Sequence, residues 1–553
     1  MDPAAAPPRP LLDARRACYG PNTSLSYDAP IHVVRGAGAY LYDEAGNRYL
    51  DCVNNVAHVG HGNPAVAEAV SRQLATVNTN SRYLSQGLVD LSQQLLALLP
   101  PSLEVVYLCN SGSEANDLAL RVARAAAAAA GRGPGAGHVA TMGGAYHGHL
   151  TSTMAISPYK FWGAGGAGKE PWVHVLPCPD PYRGEHLDGG AAARGAVAEA
   201  RAAGGSLCAF ICESVLSCGG QVFLPDGYLA AVHDEMRAAG AVVIADEVQC
   251  GFGRLGGAFW GFELSGVTPD IVVMGKPIGN GFPLAAVAMT RALASTFATQ
   301  EYFNTFGGCN AAAAAGLATL GEVRRLGLQR RAGEVGAHLL ARLRELQARH
   351  PDVIGDVRGR GLFLGVDVVR DAASKAAAPA LARWLKEEAK ARFRVLLSTD
   401  GPYEQVIKIK PPLVFTEADA DELAAALGQL LSEFKSDSNL RAAVAAEEAR
   451  VHAARTAPLM AVYADNAARV LGLGGAPHGA ASAAGTCGSS DASGSPRAAA
   501  AGGGGGGGRK GKGSLLQRVM SWASNRSSES CASDWGAAPA AAAAAAPAAG
   551  AAR

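Results

Sequence analysis

Two short strand-like runs near the middle of the chain each end beside a chemically active side chain. The run 241–245 leads to Asp246, and the run 270–274 leads through one glycine to Lys276. Short apolar runs of this kind are typical of strands buried in a parallel sheet. Because parallel strands end at the same edge of a sheet, the sequence predicts that Asp246 and Lys276 lie side by side there.

A turn of small residues lies upstream of these runs. The strand-like run 105–108 precedes it, and a helical run over 117–123 follows it. A helix N-terminus presents unpaired N–H groups and the positive end of the helix dipole, which together bind phosphate. Gly112 allows close approach of the backbone, and Ser111 and Ser113 offer hydroxyl groups. Serine is also a common helix N-cap, so the turn alone does not establish a phosphate site.

A lysine, a carboxylate and a phosphate-binding turn together suit an enzyme built around pyridoxal phosphate. In such an enzyme the lysine amine forms a Schiff base, and the carboxylate keeps the pyridine nitrogen protonated so that the ring accepts electrons. Taken singly, Asp246 could cap a loop and Lys276 could be a solvated surface amine. Their combination with the turn favours the cofactor interpretation.

The motifs of the chain resemble those of class III aminotransferases, which are fold type I pyridoxal-phosphate enzymes. The resemblance extends from about Gly20 to about Phe434 and rests on Ser111-Gly-Ser-Glu-Ala-Asn116, Tyr146-His-Gly148, Asp246-Glu-Val-Gln249, Gly275-Lys-Pro277 and Asn304-Thr-Phe-Gly-Gly308. It implies an α/β fold with a large domain, containing a mainly parallel sheet of the seven-stranded type, and a small α+β domain. The segments 77–84, 156–161, 179–184 and 213–221 are similar to those of phospho-lyases acting on ethanolamine phosphate or 5-phosphohydroxylysine.

The resemblance implies roles for individual residues. Lys276 would be the Schiff-base lysine and proton shuttle, Asp246 would pair with the pyridine N–H, and Glu213 would support it. Val248 and Tyr146 would contact opposite faces of the ring, and Gln249 would lie near its phenolic oxygen. The cofactor phosphate would bind to Ser111, Gly112 and Ser113, and to Thr305 of a neighbouring subunit. The resemblance thus implies a homodimer, or a dimer of dimers, with a shared active site.

A phospho-lyase also needs cations that hold the substrate phosphate. Arg82, Lys160 and Arg183, in the phospho-lyase-like segments, are candidates, because arginine pairs with phosphate through two hydrogen bonds. Each could instead form an ordinary ion pair. In many relatives a second acid lies five residues after the glutamate at Glu213 and gates an arginine; here that position is Cys218. Arg358 is therefore either a fixed anion contact or a structural ion pair.

Three functions are compatible with these residues. The first is a lyase that eliminates phosphate and ammonia from ethanolamine phosphate or 5-phosphohydroxylysine to give an aldehyde. The second is a class III aminotransferase that uses pyruvate or glyoxylate as amino acceptor. The third is an inactive scaffold, against which the presence of both Lys276 and Asp246 argues. The choice between the two phosphorylated substrates depends on pocket length, which the sequence does not provide.

Composition argues against several other classes of protein. The formal net charge is +1, so no general attraction to nucleic acid or to a membrane is expected. No uncharged apolar run reaches the roughly 20 residues of a transmembrane helix. The cysteines lack metal-binding spacing and indicate reduced thiols rather than a disulfide framework, so no metal site is expected. The start of the chain carries Asp2 and Asp13 among its arginines, which favours the cytoplasm, with the mitochondrion as the alternative.

Pattern and composition divide the chain into six parts. We expect a disordered N-terminus (1–18), an N-terminal arm of the small domain with a hairpin (19–54), a large cofactor-binding domain (55–309) and a C-terminal small domain (310–436). Within this small domain a long helical stretch is expected over 311–350, and a further helix is expected over 437–471. Residues 472–553 are rich in Gly, Ala and Ser and are expected to be disordered, because such sequence buries too little apolar surface to offset its conformational entropy.

Overall fold

The computed structural model describes residues 8–133, 135–163 and 166–453. In chain order, the strands of this part are β1 (Val33–Ala37), β2 (Tyr40–Asp43), β3 (Arg48–Asp51), β4 (Val105–Cys109), β5 (His138–Met142), β6 (Val173–Leu176), β7 (Leu207–Glu213), β8 (Val242–Asp246), β9 (Ile271–Met274), β10 (Ala285–Met289), β11 (Ile354–Arg360), β12 (Phe363–Val368), β13 (Val395–Leu396), β14 (Ser398–Asp400) and β15 (Val406–Ile409).

The helices of the same part alternate with these strands over much of the chain. They are α1 (Pro8–Cys18), α2 (Pro64–Thr76), α3 (Gln86–Leu96), α4 (Gly112–Ala129), α5 (Thr151–Ala155), α6 (Pro158–Phe161), α7 (Gly189–Ala202), α8 (Tyr228–Ala238), α9 (Arg291–Phe297), α10 (Asn310–Arg325), α11 (Leu328–Arg349), α12 (Pro379–Glu388), α13 (Glu417–Ser436) and α14 (438–453). Short 3₁₀ turns span Gly261–Ser265 and Lys276–Gly279, and a π-turn spans Ala389–Phe393.

The largest sheet confirms the predicted fold class. Its seven strands lie in the order β4-β10-β9-β8-β7-β5-β6. The five strands from β9 to β6 pair in parallel, and β10 is antiparallel to both β4 and β9. In this register Glu213 at the end of β7 lies opposite Asp246 at the end of β8. The sheet therefore brings the two acids predicted from sequence to one edge.

Helices cover both faces of this sheet, as expected for strands that are apolar throughout. Ile244 belongs to the cluster formed with the alanine-rich helix α4. Its neighbour Val243 belongs to a second cluster, formed with α7 and α8, on the other face. Successive side chains of a strand point to opposite faces, so the uninterrupted apolar run is explained by burial on both sides.

Two smaller sheets complete the described part. The predicted N-terminal hairpin is confirmed, because β2 and β3 pair antiparallel with Tyr40 opposite Leu50. The sheet β1-β2-β3-β13 also includes a parallel pair between β3 and β13, which joins the N-terminal arm to the chain after α12. The strands β11-β12-β15-β14 form an antiparallel sheet.

The structure corrects two local expectations. Part of the segment 1–18, which was expected to be disordered, forms helix α1. A proline stands at its first position, and Arg15 and Arg16 occupy its last turn, where positive charge interacts favourably with the helix dipole. The long helical stretch over 311–350 is two helices, α10 and α11. Gly327 separates them with φ +58°, a left-handed conformation that glycine adopts at no steric cost.

The end of the chain is only partly described. The predicted helix over 437–471 corresponds to α14 as far as residue 453, and its remainder lies outside the described residues, as does the segment 472–553. Residues 439–453 belong to a different unit from the preceding chain. The proposed boundaries at residues 54 and 309 stay predictions. No helix of the described part is both long and apolar enough to cross a membrane.

Candidate active site

Asp246 lies at the carboxyl end of β8 and is buried, with 2% of its surface exposed. Its Oδ2 accepts hydrogen bonds from Nδ2 of Asn116 and from Nδ1 of His147, both at 2.8 Å. Its Oδ1 accepts from the backbone N–H of Val248 at 3.1 Å. Two side chains and one backbone N–H thus hold the carboxylate in place, and no lysine or arginine of the described chain pairs with it.

Lys276 begins the turn that follows β9 and is half-buried. Its φ of +34° lies in the left-handed region that non-glycine residues rarely adopt, and such strain concentrates at functional sites. Within the described ranges, its amine forms no hydrogen bond or ion pair. The strained backbone and unengaged amine suit a lysine that reacts with another molecule.

Val248 lies between two glycines that let the backbone approach it closely. A Cβ on Gly112 would lie 3.0 Å from Cγ2 and 3.1 Å from Cγ1 of Val248, and a Cβ on Gly275 would lie 3.2 Å from Cγ1. These distances are shorter than ordinary contacts between carbon atoms. The close packing fixes the isopropyl group between the small-residue turn and the residue before Lys276.

The small-residue turn opens helix α4 as predicted. Ser111 is the N-cap, and its hydroxyl accepts from the N–H of Glu114 at 3.2 Å. Gly112 and Ser113 are the first helical residues, so their N–H groups precede the intrahelical hydrogen bonds and are available to an anion. The hydroxyl of Ser113 accepts from the N–H of His149 at 3.1 Å. Ser111 is engaged as a cap, which leaves Gly112 and Ser113 as the better anion donors.

A group of aromatic side chains and one lysine lies beside this turn. Tyr146, half-buried after β5, contacts Tyr159 edge to face with 6.0 Å between ring centroids. The amine of Lys160 lies 5.5 Å from the centre of the Tyr146 ring and 5.3 Å from that of Tyr159. Burial, reinforced by Cys218 and Asp246, raises the pKa of Tyr146, so the phenol is neutral at physiological pH. Of the four candidate substrate cations, Lys160 is the one whose amine lies beside Tyr146.

Glu213, opposite Asp246, supports the loops at this edge of the sheet. Its carboxylate accepts from the N–H of Tyr146 at 3.1 Å and from the N–H of Ser217 at 3.2 Å. Burial, and then the nearby Asp246, raise the pKa of Glu213 to about 7. Glu213 therefore positions Tyr146 through its backbone.

Gln249 is buried three residues after Asp246, and its amide oxygen has two donors. These are Nζ of Lys410 at 2.6 Å and Nδ2 of Asn55 at 3.2 Å. The same Lys410 amine donates to Oγ of Ser217 at 2.8 Å. Lys410 follows β15, so a residue from the antiparallel sheet reaches the edge of the parallel one.

The segment containing Thr305 is held beside the start of α4. The carboxylate of Glu114 accepts from Nδ2 of Asn304 at 2.7 Å and from the N–H of Asn110 at 3.0 Å. Thr305 itself is exposed. A contact from Thr305 to a neighbouring subunit stays a prediction.

The structure corrects the assignment of two arginines as candidates for the substrate phosphate. Arg183 pairs with Asp180 at 2.9 Å and Asp367 at 3.1 Å, and donates twice to the carbonyl of Lys375. Arg358 pairs with Asp356 at 2.8 Å and also with Asp367, and donates twice to the carbonyl of Gly220. Both guanidinium groups are engaged around the buried Asp367, so of the two alternatives for Arg358 the geometry supports the structural ion pair.

Arg82, the remaining candidate, is exposed on the surface. Its guanidinium stacks on Phe303 at 3.9 Å, and Nη2 lies 4.0 Å from a carboxylate oxygen of Glu301. These two contacts place Arg82 beside the segment that leads to Thr305.

Sequence reasoning missed three residues of the site. His147 and Asn116 stand inside motifs that were recognised, but their contact with Asp246 depends on the fold. Lys410 had a signal of its own: Lys408 and Lys410 alternate with isoleucines on a strand that is otherwise apolar. Two lysines on one face of a buried strand require partners, and this pattern could have pointed to the site.

These residues fit pyridoxal phosphate. A buried carboxylate lacks a lysine or arginine partner within the described chain, and a lysine with an unengaged amine follows the neighbouring strand. Val248 provides an apolar contact, and the start of α4 provides N–H groups for a phosphate. A pyridine N–H, an aldehyde, a flat ring and a phosphate are the complementary groups of this cofactor.

Comparisons with known proteins agree with this site. The family model described as aminotransferase class III matches residues 23–431. An alanine–glyoxylate aminotransferase 2-like protein of Drosophila melanogaster is 45% identical over 406 residues, which cover 71% of this chain and 81% of the relative. An ethanolamine-phosphate phospho-lyase homolog 1 of Caenorhabditis elegans is 40% identical, covering 76% of this chain and 93% of the relative.

A solved structure extends the similarity to three dimensions. A phospholyase from Arthrobacter, in complex with phosphoethanolamine, superposes with a TM-score of 0.72 at 40% sequence identity. The match covers 76% of this chain and 99% of that one. The chain belongs to the class III aminotransferase family, whose members imply pyridoxal phosphate as cofactor.

Proposed function

We propose that this protein is a pyridoxal-phosphate-dependent lyase that eliminates phosphate and ammonia from ethanolamine phosphate or 5-phosphohydroxylysine, leaving an aldehyde. The observation that carries the proposal is the 40% identity to a phospholyase solved with phosphoethanolamine, over 99% of that protein. The location of Lys160 beside Tyr146 adds a cation near the aromatic side of the site. The proposed substrate is a small amine whose phosphate lies one carbon from the carbon bearing nitrogen.

When bound, pyridoxal phosphate withdraws electrons from the carbon that carries the substrate nitrogen. In the proposed reaction Lys276 removes a proton from that carbon, and Asp246 keeps the ring nitrogen protonated. The C–O bond on the next carbon breaks and phosphate leaves with the electron pair. Water then releases the aldehyde and ammonia, so the reaction needs no amino acceptor.

Lys160 is the residue that we assign to the substrate phosphate. Its amine lies over the faces of Tyr146 and Tyr159, which attract a cation and limit where it can move. An ammonium group held there can neutralise charge on the departing phosphate. The cation thus favours elimination over simple transfer of the amino group.

The second candidate function is transamination with pyruvate or glyoxylate as acceptor. The Drosophila relative, named for alanine–glyoxylate aminotransferase 2, is 45% identical and favours it. Transamination uses the same Lys276 and Asp246, because both reactions begin with loss of the same proton. They differ in whether phosphate leaves before a proton returns.

We further propose that two copies of the chain form a dimer through the surface around Thr305. Exposed apolar side chains concentrate there, on two segments that the stacking of Arg82 on Phe303 joins. They are Tyr83, Leu84, Phe303 and Phe306. An exposed apolar patch on a soluble domain is typical of a protein interface, and a second copy would bring Arg82 and Thr305 next to its partner's site.

The test is an assay of phosphate release. Purified protein loaded with pyridoxal phosphate is incubated separately with ethanolamine phosphate and with 5-phosphohydroxylysine, without a keto acid. We expect phosphate and ammonia in equal amounts from at least one substrate, and almost none from Lys276→Ala, because the covalent and acid–base group is lost. A separate incubation supplies an amine with pyruvate or glyoxylate. If the keto acid is consumed there while neither phosphorylated substrate releases phosphate, the protein is an aminotransferase.

A further inference from the structure

Lys410 is a buried lysine whose amine has unusual partners. Only 2% of its surface is exposed, and its amine donates to two neutral oxygens, Oγ of Ser217 and Oε1 of Gln249. No carboxylate of the described chain forms an ion pair with it. Burying a charge with neutral partners alone costs stability, and an apolar residue would avoid that cost.

Lys408, two residues earlier on the same face of β15, provides the contrast. It is half-buried, with 15% of its side chain exposed, and its amine pairs with the carboxylate of Asp400. A carboxylate partner offsets part of the cost of taking an amine out of water. Lys410 has no such partner, so the burial of its amine requires another explanation.

The position of Lys410 dictates how the amide of Gln249 is oriented. An amide nitrogen cannot accept a hydrogen bond, so the Gln249 atom that accepts from the Lys410 amine at 2.6 Å is the amide oxygen. Asn55 donates to the same oxygen at 3.2 Å. Rotating the amide by half a turn would place its N–H groups against both donors.

The amide nitrogen of Gln249 is therefore a fixed donor. Its only protein contact in the described part is a weak one, with Nε2 3.9 Å from the sulfur of Cys218. A thiol is a poor acceptor, so most of the donor capacity of this amide is unused. Two hydrogen bonds to its oxygen polarise the amide and strengthen the N–H as a donor.

We propose that Lys410 is a positioning residue that locks Gln249 as a hydrogen-bond donor to the ring oxygen of pyridoxal phosphate. The proposal rests on the family assignment and on the cofactor, and it holds for elimination and transamination alike. Lys410 acts through Gln249 rather than touching substrate. A donor at the ring oxygen stabilises negative charge there and makes the bound cofactor lose its titratable proton more readily.

Several charged or titratable groups surround Lys410. They are Lys408, Asp400, Cys218 and Lys276. Burial, together with Lys408, lowers the pKa of Lys410 well below its usual range, and Asp400 opposes this shift. Any substitution at position 410 also changes the field at these neighbours, so the test must separate an effect through Gln249 from a general one.

The experiment is a pH titration of the absorbance of lysine-bound pyridoxal phosphate in the loaded enzyme, without substrate. Lys410→Met should move the transition to higher pH by about one unit, because Gln249 is no longer oriented or polarised. Gln249→Leu should move it in the same direction by at least as much. If Lys410 acts through Gln249, the double variant should match Gln249→Leu alone. Lys410→Gln, whose amide can still donate, should show a smaller shift.

Lys390→Met is the matched control. Lys390 is another buried lysine of the chain, and its amine donates to a backbone carbonyl, that of Ala29. This variant should leave the transition unchanged. The proposal is overturned if Lys410→Met leaves the transition in place, if Lys390→Met moves it equally, or if the shifts of the two site variants add. The absorbance readout needs no turnover, so a failure to release phosphate would refute only the proposed lyase activity. Wild-type protein that shows no absorbance of bound cofactor would refute the assignment of pyridoxal phosphate.

Discussion

His147 donates a hydrogen bond from Nδ1 to Oδ2 of Asp246 over 2.8 Å, and both side chains are buried. An ionised carboxylate can only accept, so Nδ1 carries the proton. The other ring nitrogen, Nε2, lies 3.3 Å from the hydroxyl of Thr141. The imidazole is thus held at both nitrogens, and it fixes the position of the Asp246 carboxylate.

This arrangement predicts the effect of Asp246→Asn. The amide has no charge to keep a pyridine nitrogen protonated, and in either orientation its NH₂ group would face at least one donor, from Val248 or from His147 and Asn116. We expect pyridoxal phosphate to bind and turnover to fall by about 100-fold or more. Spectroscopic occupancy and initial rates measure the two effects. Asp270→Asn is the control and should keep its activity, because Asp270 lies just before β9, at the opposite edge of the sheet. Wild-type turnover in Asp246→Asn would remove Asp246 from the mechanism.

The sequence predicted the elements of the site more successfully than the contacts between them. Asp246 and Lys276 were found because strand-length apolar runs end beside them, and a parallel sheet brings such ends together. The antiparallel strand β10 was not predicted: Ala285–Met289 has the same apolar character as its parallel neighbours. Strand direction depends on the path of the connections, which composition does not record.

Roles that depend on long-range partners were the least predictable. Arg183 was a reasonable phosphate ligand by type, but its partner Asp367 lies 184 residues away in the chain. Lys410 and Gln249 are separated by 161 residues. Residue type indicates what a side chain can bind; only the fold decides which partner has already engaged it.

Gly112→Ala tests the packing around Val248. A Cβ would lie 3.0 Å from Cγ2 of Val248, so that side chain must move toward the ring position. We expect cofactor affinity to fall by about tenfold, equivalent to about 1.4 kcal/mol. Fluorescence titration with pyridoxal phosphate measures the dissociation constant. Gly195→Ala is the control, because this residue is exposed within helix α7 and nothing lies within 4 Å of the new Cβ. It should leave cofactor affinity unchanged and raise stability slightly. Equal affinities for Gly112→Ala and wild type would contradict the packing argument.

Lys160→Met and Arg183→Met should separate substrate binding from structure. Loss of the Lys160 ammonium should raise KM for the phosphorylated amine by about tenfold or more, since a cation near phosphate contributes on the order of 1–3 kcal/mol. Arg183→Met leaves the buried Asp367 with one fewer partner and should lower the midpoint of thermal unfolding. Its KM should change little. The reverse pattern would return Arg183 to the phosphate site.

Glu213 should make the stability of the cofactor-free protein depend on pH. Burial and Asp246 raise the pKa of Glu213 to about 7, from an ordinary value of 4.5, although two backbone N–H groups favour its charged form. Between these pH values the folded protein keeps a proton that the unfolded chain has lost. The free energy of unfolding therefore falls as pH rises through this window, by at most about 3 kcal/mol.

Glu213→Gln isolates that contribution, because glutamine does not titrate. Urea unfolding at pH 5 and at pH 8 gives the change for each protein, and other titrating groups cancel when the two changes are compared. The wild type should lose more stability than the variant between these pH values. At both pH values the free energy of unfolding of the variant should fall below the wild-type value by no more than about 1 kcal/mol, which is the contribution of one lost hydrogen bond. Equal losses in both proteins would mean that Glu213 keeps one protonation state across this range, and that Asp246 does not raise its pKa as the geometry indicates.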